Sequence, residues 1–102
     1  MPIVRISRGS FEPDDYDKIA KRLSEAHPTP VPGIRQLDGC LHYWAGIDHH
    51  SNTMVNVSVW RSLTDAKQME TLSSMLALAA EFSKLGVNFE RPIINYDILW
   101  EV

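Results

Sequence analysis

The sequence contains a single cysteine, Cys40. No internal disulfide can form, and no cysteine-based metal cluster can be assembled. Long apolar runs are also missing: none approaches the roughly 18 residues that a membrane span needs. The first residues, Met1-Pro2-Ile3-Val4-Arg5, form no signal-type apolar stretch and offer no small-residue cleavage site. There is no basic tract either, since ten Lys and Arg stand against thirteen Asp and Glu, a formal charge of −3. Phosphate backbones are bound by clustered cations, so nucleic acid is excluded as an expected partner. No Gly-rich phosphate loop, nucleophile elbow, HExxH or Cys pair occurs, which leaves nucleotide, PLP, zinc and acyl-transfer chemistry without support. The expectation is a reduced, cytoplasmic protein with no membrane association, no metal and no cofactor.

What is present is one domain's worth of ordinary globular composition. The 102 residues are 44% hydrophobic and 23% charged, which rules out disorder, collagen and coiled coil. A chain this short buries about 60–65% of its unfolded surface, so association with a second copy would help it.

Two segments have helical periodicity and four have strand character. Ile3 to Gly9 is short and β-branched, a strand. Phe11-Glu12-Pro13-Asp14-Asp15 then starts a helix, with Pro tolerated in the first turn and carboxylates complementing the dipole. Tyr16, Ile19, Ala20, Leu23 and Ala26 form one apolar face. That helix must stop by His27, because Pro28, Pro30, Pro32 and Gly33 follow as a stiff connector. Arg35 to Ile47 reads as a second strand, and Asp48-His49-His50-Ser51-Asn52 as a polar turn. Met54 to Trp60 alternates Val55, Val57 and Val59 against Met54, Asn56, Ser58 and Trp60, a third strand. A second helix begins at a Ser62 cap with Asp65 in the capping-box position. It runs to Gly86 as a C′ residue, with Ser73 and Ser74 allowing a bend. Pro92 to Val102 alternates as the fourth strand.

The order βαββαβ predicts an α+β, ferredoxin-like arrangement: an antiparallel sheet with two helices on one face. The other face has no cover within the chain, yet the strands are apolar on both sides. A homodimer packed sheet against sheet, a dimeric α/β barrel, is the expected assembly for this single domain of residues 1–102.

Pro32-Gly33-Ile34 before the second strand, and Val59-Trp60-Arg61-Ser62 leading into the second helix, resemble the dimeric α/β-barrel proteins of the antibiotic-biosynthesis-monooxygenase type. Two branches of that family imply different chemistry. Haem-degrading members use an Asn on the first strand and a Trp and a His on the second helix. Carried over, these fall on Ser7, Met69 and Ala79, and the second helix has no His, so the resemblance argues against haem degradation. Cofactor-independent quinol and anthrone monooxygenases carry an Asn and a Trp four residues apart on the third strand. Asn56 and Trp60 match that pair, whereas the family's later Tyr and Arg fall on Ala66 and Ala80.

Four residues is twice the strand period, so Asn56 and Trp60 share a sheet face. An aromatic wall would stack on a planar phenol or hydroquinone. An Asn amide would hydrogen-bond the oxygen on which negative charge develops, after which the anion could reduce O2 directly. The same pair also suits a core aromatic at a strand end beside an Asn serving local backbone. A further base or orienting group could be Tyr43 or His42. A hairpin with Asp48 opposite Thr53 puts Tyr43 on the Asn56 face, and a turn of odd length puts His42 there. Arg5, Ser7 and Met69 complete the expected lining for a small aromatic or hydrophobic ligand. Asp48, His49 and His50 read as a solvated turn, because adjacent histidines point in different directions. The function this supports is a cofactor-free monooxygenase acting on a small phenolic or quinol-type substrate. A non-catalytic or stress-related ligand-binding protein, or a small isomerase or cyclase, would use the same fold.

Overall fold

The computed structural model describes every residue from Met1 to Val102. Its central strand is β1 (Ile3–Ser10). One edge of β1 pairs antiparallel with β3 (Thr53–Trp60), from Ile3 opposite Trp60 to Ser10 opposite Thr53. The next strand out is β2 (Cys40–Asp48), antiparallel to β3. The other edge of β1 carries two short strands end to end, β4 (Asn88–Phe89) and β5 (Ile94–Asp97). The helices lie on one face, so the architecture is α+β and ferredoxin-like, as the element order predicts.

The helical segments follow their local chemistry. A 3₁₀ turn at Pro13–Asp15 leads into α1 (Tyr16–Glu25), whose inward anchor is the fully buried Ile19. The second helical region is α3 (Leu63–Ala66), a 3₁₀ turn (Lys67–Thr71) and α4 (Ser73–Lys84). Ser62 caps α3 by accepting from the Asp65 N–H at 3.2 Å, and the extended Leu72 makes the break beside Ser73. Arg22 of α1 grips Glu81 of α4 through two hydrogen bonds of 2.5 and 3.1 Å. No helix is long and apolar enough to cross a membrane.

Three expected boundaries are corrected. The proline connector contains a short helix, α2 (Val31–Arg35), with Pro32 in its first turn and Ile34 buried, so the second strand begins at Cys40 rather than Arg35. Proline interrupts a helix interior but not its first turn. The last strand begins earlier and breaks, as β4 and β5, between Glu90 and Ile93. It also ends at Asp97, because Asp97 already lies opposite Ile3 and β1 offers little backbone beyond that point. Only the Ile98 N–H continues, bonding the Pro2 carbonyl.

The core is divided in two. Phe11, Ile19, Ala26, Met54, Leu78, Phe82 and Val87 form one cluster; Ile3, Ile34, Trp60, Ala66 and Met69 form the other. The opposite sheet face carries Val4, Ile6, Val55, Val57 and Val59, together with the exposed Trp44, Ile94 and Tyr96, and no part of the chain packs over it as the helices pack over the inner face.

Gly39, at the start of β2, has φ of +75°, and a Cβ there would meet the Asp65 carboxyl carbon at 2.6 Å. Left-handed backbone costs a non-glycine residue about 1–2 kcal/mol. Gly39→Ala should therefore lower the melting temperature by roughly 5–10 °C, measurable by circular dichroism; an unchanged melting temperature would contradict the strained turn.

Candidate functional site

The sheet register decides which side chains face the helices. Asp48 lies opposite Thr53, Ala45 opposite Asn56 and Tyr43 opposite Ser58. Tyr43 thus shares the inner face with Asn56 and Ser58. An irregularity between Cys40 and His42 shifts the parity by one, which brings Cys40 opposite Trp60. His42 pairs with Val59 on the outer face, and its ring stacks on Trp44 with centroids 5.2 Å apart.

Two polar rows cross the inner face. In one, Asn95, Arg5, Ser58 and Tyr43 are successive neighbours; in the other, Ser7, Asn56 and Ala45 are. Above them a cleft of about 1220 Å³ opens between the sheet and the helices, and 21 of its 34 lining residues are hydrophobic. Leu23 of α1, Ile34 of α2, and Met75, Leu78 and Phe82 of α4 contribute to its apolar walls. The expected position between sheet and second helix is therefore broadened, since α1 and α2 border the cleft as well.

Arg5, Ser7, Tyr43, Asn56 and Met69 all line this cleft. Trp60 does not: it is fully buried in the second core cluster, and its indole Nε1–H donates to Ser58 Oγ at 2.8 Å. The stacking wall expected of Trp60 is thus corrected to a packing role that holds Ser58 in place. The physical reason is its partner set, since Ile3, Ile34, Ala66 and Met69 enclose the ring from the strand and the helices. His42 touches the lining, but its imidazole is committed to the outer face. Met69 is both a core residue and a cleft residue.

Several site residues have no mark in the sequence. Arg91 donates to Ser7 Oγ at 3.5 Å and lies over the Phe89 ring at 4.9 Å. It reaches the cleft because the last strand is broken at that point, a tertiary feature. Glu70 and Met75 enter from the 3₁₀ turn and α4. Ser58 was legible in principle, lying two residues from Asn56 on the same strand face.

Electrostatically the floor is rich in donors. Arg5 is 7% exposed, and its side chain makes no hydrogen bond or ion pair with protein. Burial pulls its guanidinium below the usual value; Glu70 and Tyr43 counteract this, and Arg91 adds repulsion. Burial pushes the Cys40 thiol up. It also pushes the Tyr43 phenol from 10 up to about 12, against the pull of Arg5. The Tyr43 hydroxyl finds only the soft Met75 Sδ, at 3.9 Å. The Asn56 amide makes no hydrogen bond to protein and faces the cleft.

No group of three or more His, Cys, Asp or Glu side chains is placed to hold a metal ion. In the Asp48–Asn52 turn, the Asp48 carboxylate accepts from the Ser51 N–H and hydroxyl at 2.8 and 2.6 Å, and His49 stacks on Tyr16 at 3.9 Å.

No protein-family model matches the chain, and no curated protein matches it significantly. Solved structures do. Rv0793 from Mycobacterium tuberculosis is 20% identical, with a TM-score of 0.69 over 99% of this chain and 98% of that one. A candidate antibiotic biosynthesis monooxygenase from Deinococcus radiodurans is 18% identical, with a TM-score of 0.72 over 98% and 95%. SnoaB, a cofactor-independent oxygenase from Streptomyces nogalater, is 12% identical, with a TM-score of 0.64 over 99% and 96%. At these identities the likeness shows the fold, which is that of the antibiotic-biosynthesis-monooxygenase type.

The Tyr43 geometry predicts a pH dependence. Between pH 10 and about 12 the folded protein keeps the Tyr43 proton while the unfolded chain has released it. The native state then binds more protons, so stability falls as pH rises through that window, by up to about 2–3 kcal/mol. Urea denaturation at pH 9 and pH 11 should show a smaller loss for Tyr43→Phe than for wild type; equal losses would place the phenol in solvent.

Proposed function

We propose that the cleft binds a small phenolic or quinol-type aromatic molecule and oxidises it with O2 without a cofactor. The observation that carries this reading is the Asn56 amide, unengaged by protein, set beside Ser7 on a polar floor under apolar walls. An aromatic body gains from burial against Leu23, Met75, Leu78 and Phe82. Its hydroxyl comes to the floor, where the amide N–H donates to the oxygen that becomes negative. A donor preorganised among mostly apolar walls stabilises that anion without the reorganisation that bulk water must undergo. The hydroxyl proton passes to solvent at the open cleft, the resulting anion gives one electron to O2, and the two radicals combine to form a C–O bond at a ring C–H carbon. The resulting peroxide then loses water. One oxygen atom stays on the ring as a quinone carbonyl and the other leaves in water; the ring C–H and the phenol O–H supply that water's two hydrogens, and the phenol-to-quinone change supplies the four electrons. The fold likeness to a cofactor-independent oxygenase supports the reading.

A second reading, ligand binding without turnover, is favoured by one observation. Tyr43 is held as a neutral donor up to about pH 12, which suits recognition more than proton abstraction.

The proposal includes a homodimer. Val4, Ile6, Val55, Val57 and Val59, with Trp44 and Tyr96, form an apolar outer face that a second copy would cover sheet to sheet. Leu99 and Trp100, each about four-fifths exposed, would extend that contact.

Two measurements check these statements. Oxygen uptake on a quinol panel should fall about 10²–10³-fold in Asn56→Ala with the melting temperature unchanged; wild-type rates on every accepted substrate would move the site elsewhere. Light scattering at micromolar concentration should give about twice 11.6 kDa, and a monodisperse monomer would remove the barrel assembly.

A further inference from the structure

We infer that the ligand of this cleft carries a carboxylate, and that Arg5 is its anchor. The argument starts from a charge without a partner. Arg5 is more than nine-tenths buried on the central strand, borders the cleft, and has no carboxylate within ion-pair distance. A guanidinium carries five donors, no acceptor, and a charge it does not lose. Holding such a group unpaired on the floor of a mostly apolar cleft is costly, and its nitrogens open only to that cleft, where an entering anion would pair them.

The neighbours of Arg5 point to the chemistry of that partner. Ser58 Oγ already accepts from the Trp60 indole, so its own hydrogen is free to donate. The Tyr43 hydroxyl, next in the same row, spends its hydrogen on a weak sulfur acceptor. Arg5 and Ser58 are register neighbours on the cleft floor with donors free, and Tyr43 beside them would exchange its weak sulfur contact for an oxygen acceptor; a planar two-oxygen anion fits a guanidinium fork with hydroxyls at its side. Two nearby groups compete. Asn95 Oδ1 is buried without a donor opposite Arg5, but Asn95 does not border the cleft and its amide is neutral. The Glu70 carboxylate raises the Arg5 pKa from the rim, while Arg91 on the same lining offsets it with a second positive charge.

The anchor deepens the proposed function, because it rests on this cleft being the substrate site. With its carboxylate on Arg5, an aromatic acid would present its far ring carbons to the next row, where Ser7 and Asn56 lie. The substrate class becomes a hydroxylated aromatic carboxylate.

The test uses 1-naphthoate and its methyl ester, neither of which has a hydroxyl to oxidise, so that binding is read apart from turnover. Titration calorimetry on the full chain should give naphthoate binding roughly 10–100-fold tighter than the ester. Arg5→Met should abolish that preference without lowering the melting temperature, since an unpaired buried charge is removed. Arg5→Lys should restore part of it. Glu70→Gln should tighten naphthoate, by removing the competing carboxylate. Equal affinity for acid and ester in wild type would overturn the anchor. So would a preference that survives Arg5→Met, or a Glu70→Gln variant that loses stability as if a native ion pair had been broken. Naphthoate binding through Arg5 without any quinol oxidation would refute the oxygenase reading and leave the anchor standing; oxidation without acid preference would do the reverse.

Discussion

Two rows of polar side chains run across the middle of an otherwise apolar sheet, and the helices cannot close over them. Arg5, Ser58 and Tyr43 form one row, Ser7 and Asn56 the other. Pressing Leu, Met and Phe side chains onto these groups would strip their hydration without supplying partners, at a cost of about 1–3 kcal/mol for each neutral group and more for the guanidinium. The apolar residues therefore gather at the two ends of the sheet. Met54 and Phe82 organise one end; Trp60 and Ile34 organise the other. The cleft is the space left between two cores.

A divided core has consequences for a chain of 102 residues. Each half is small, so devices that tie the halves together carry weight: the helical run from α3 to α4, which places Ala66 and Met69 in one cluster and Leu78 and Phe82 in the other, the Arg22–Glu81 grip between the helices, and the central strand itself, which contributes Ile3 to one end and backs the other at Gly9. Gly9 is informative, since any Cβ there would collide with Val87. The sheet's polar middle and its bare outer face have the same origin. Residues that alternate along β1 and β3 send Arg5, Ser7, Asn56 and Ser58 inward, and Val4, Ile6, Val55, Val57 and Val59 outward. In most half-buried strands the polar set faces water. Here the inward set is the more polar one, which is the arrangement a ligand site requires and a simple core does not.

The architecture was legible because it depends on patterns of short range. Val55 to Val59 alternates with a strict period of two, the α1 stripe repeats at three and four residues, and Ser62 and Gly86 mark the ends of the second helical region. The breaks were less legible. Pro32 looked like part of a rigid connector because its position within a helix turn cannot be read without knowing that Ile34 has a core to enter. The last strand looked continuous because Pro92 to Val102 alternates throughout, although β1 has backbone to offer only as far as Asp97.

The candidate site divides along the same line. Sequence alone determined the residue types and their parity. Asn56 shares a face with Ser58 and Trp60 because strand side chains alternate, and Arg5 with Ser7 for the same reason. It did not determine depth or register, which are decided by packing across the chain. Whether Tyr43 or His42 faced inward depended on one residue of turn length, resolved by Asp48 lying opposite Thr53. Trp60 left the cleft because Ile34 and Ala66, both outside its own strand, enclose it. Arg91 entered because the strand that carries it breaks beside Ser7. Above all, that Arg5 is buried without a carboxylate could not be read from its neighbours in sequence, since an ion pair is a meeting of residues from distant segments and only the tertiary structure decides that none occurs.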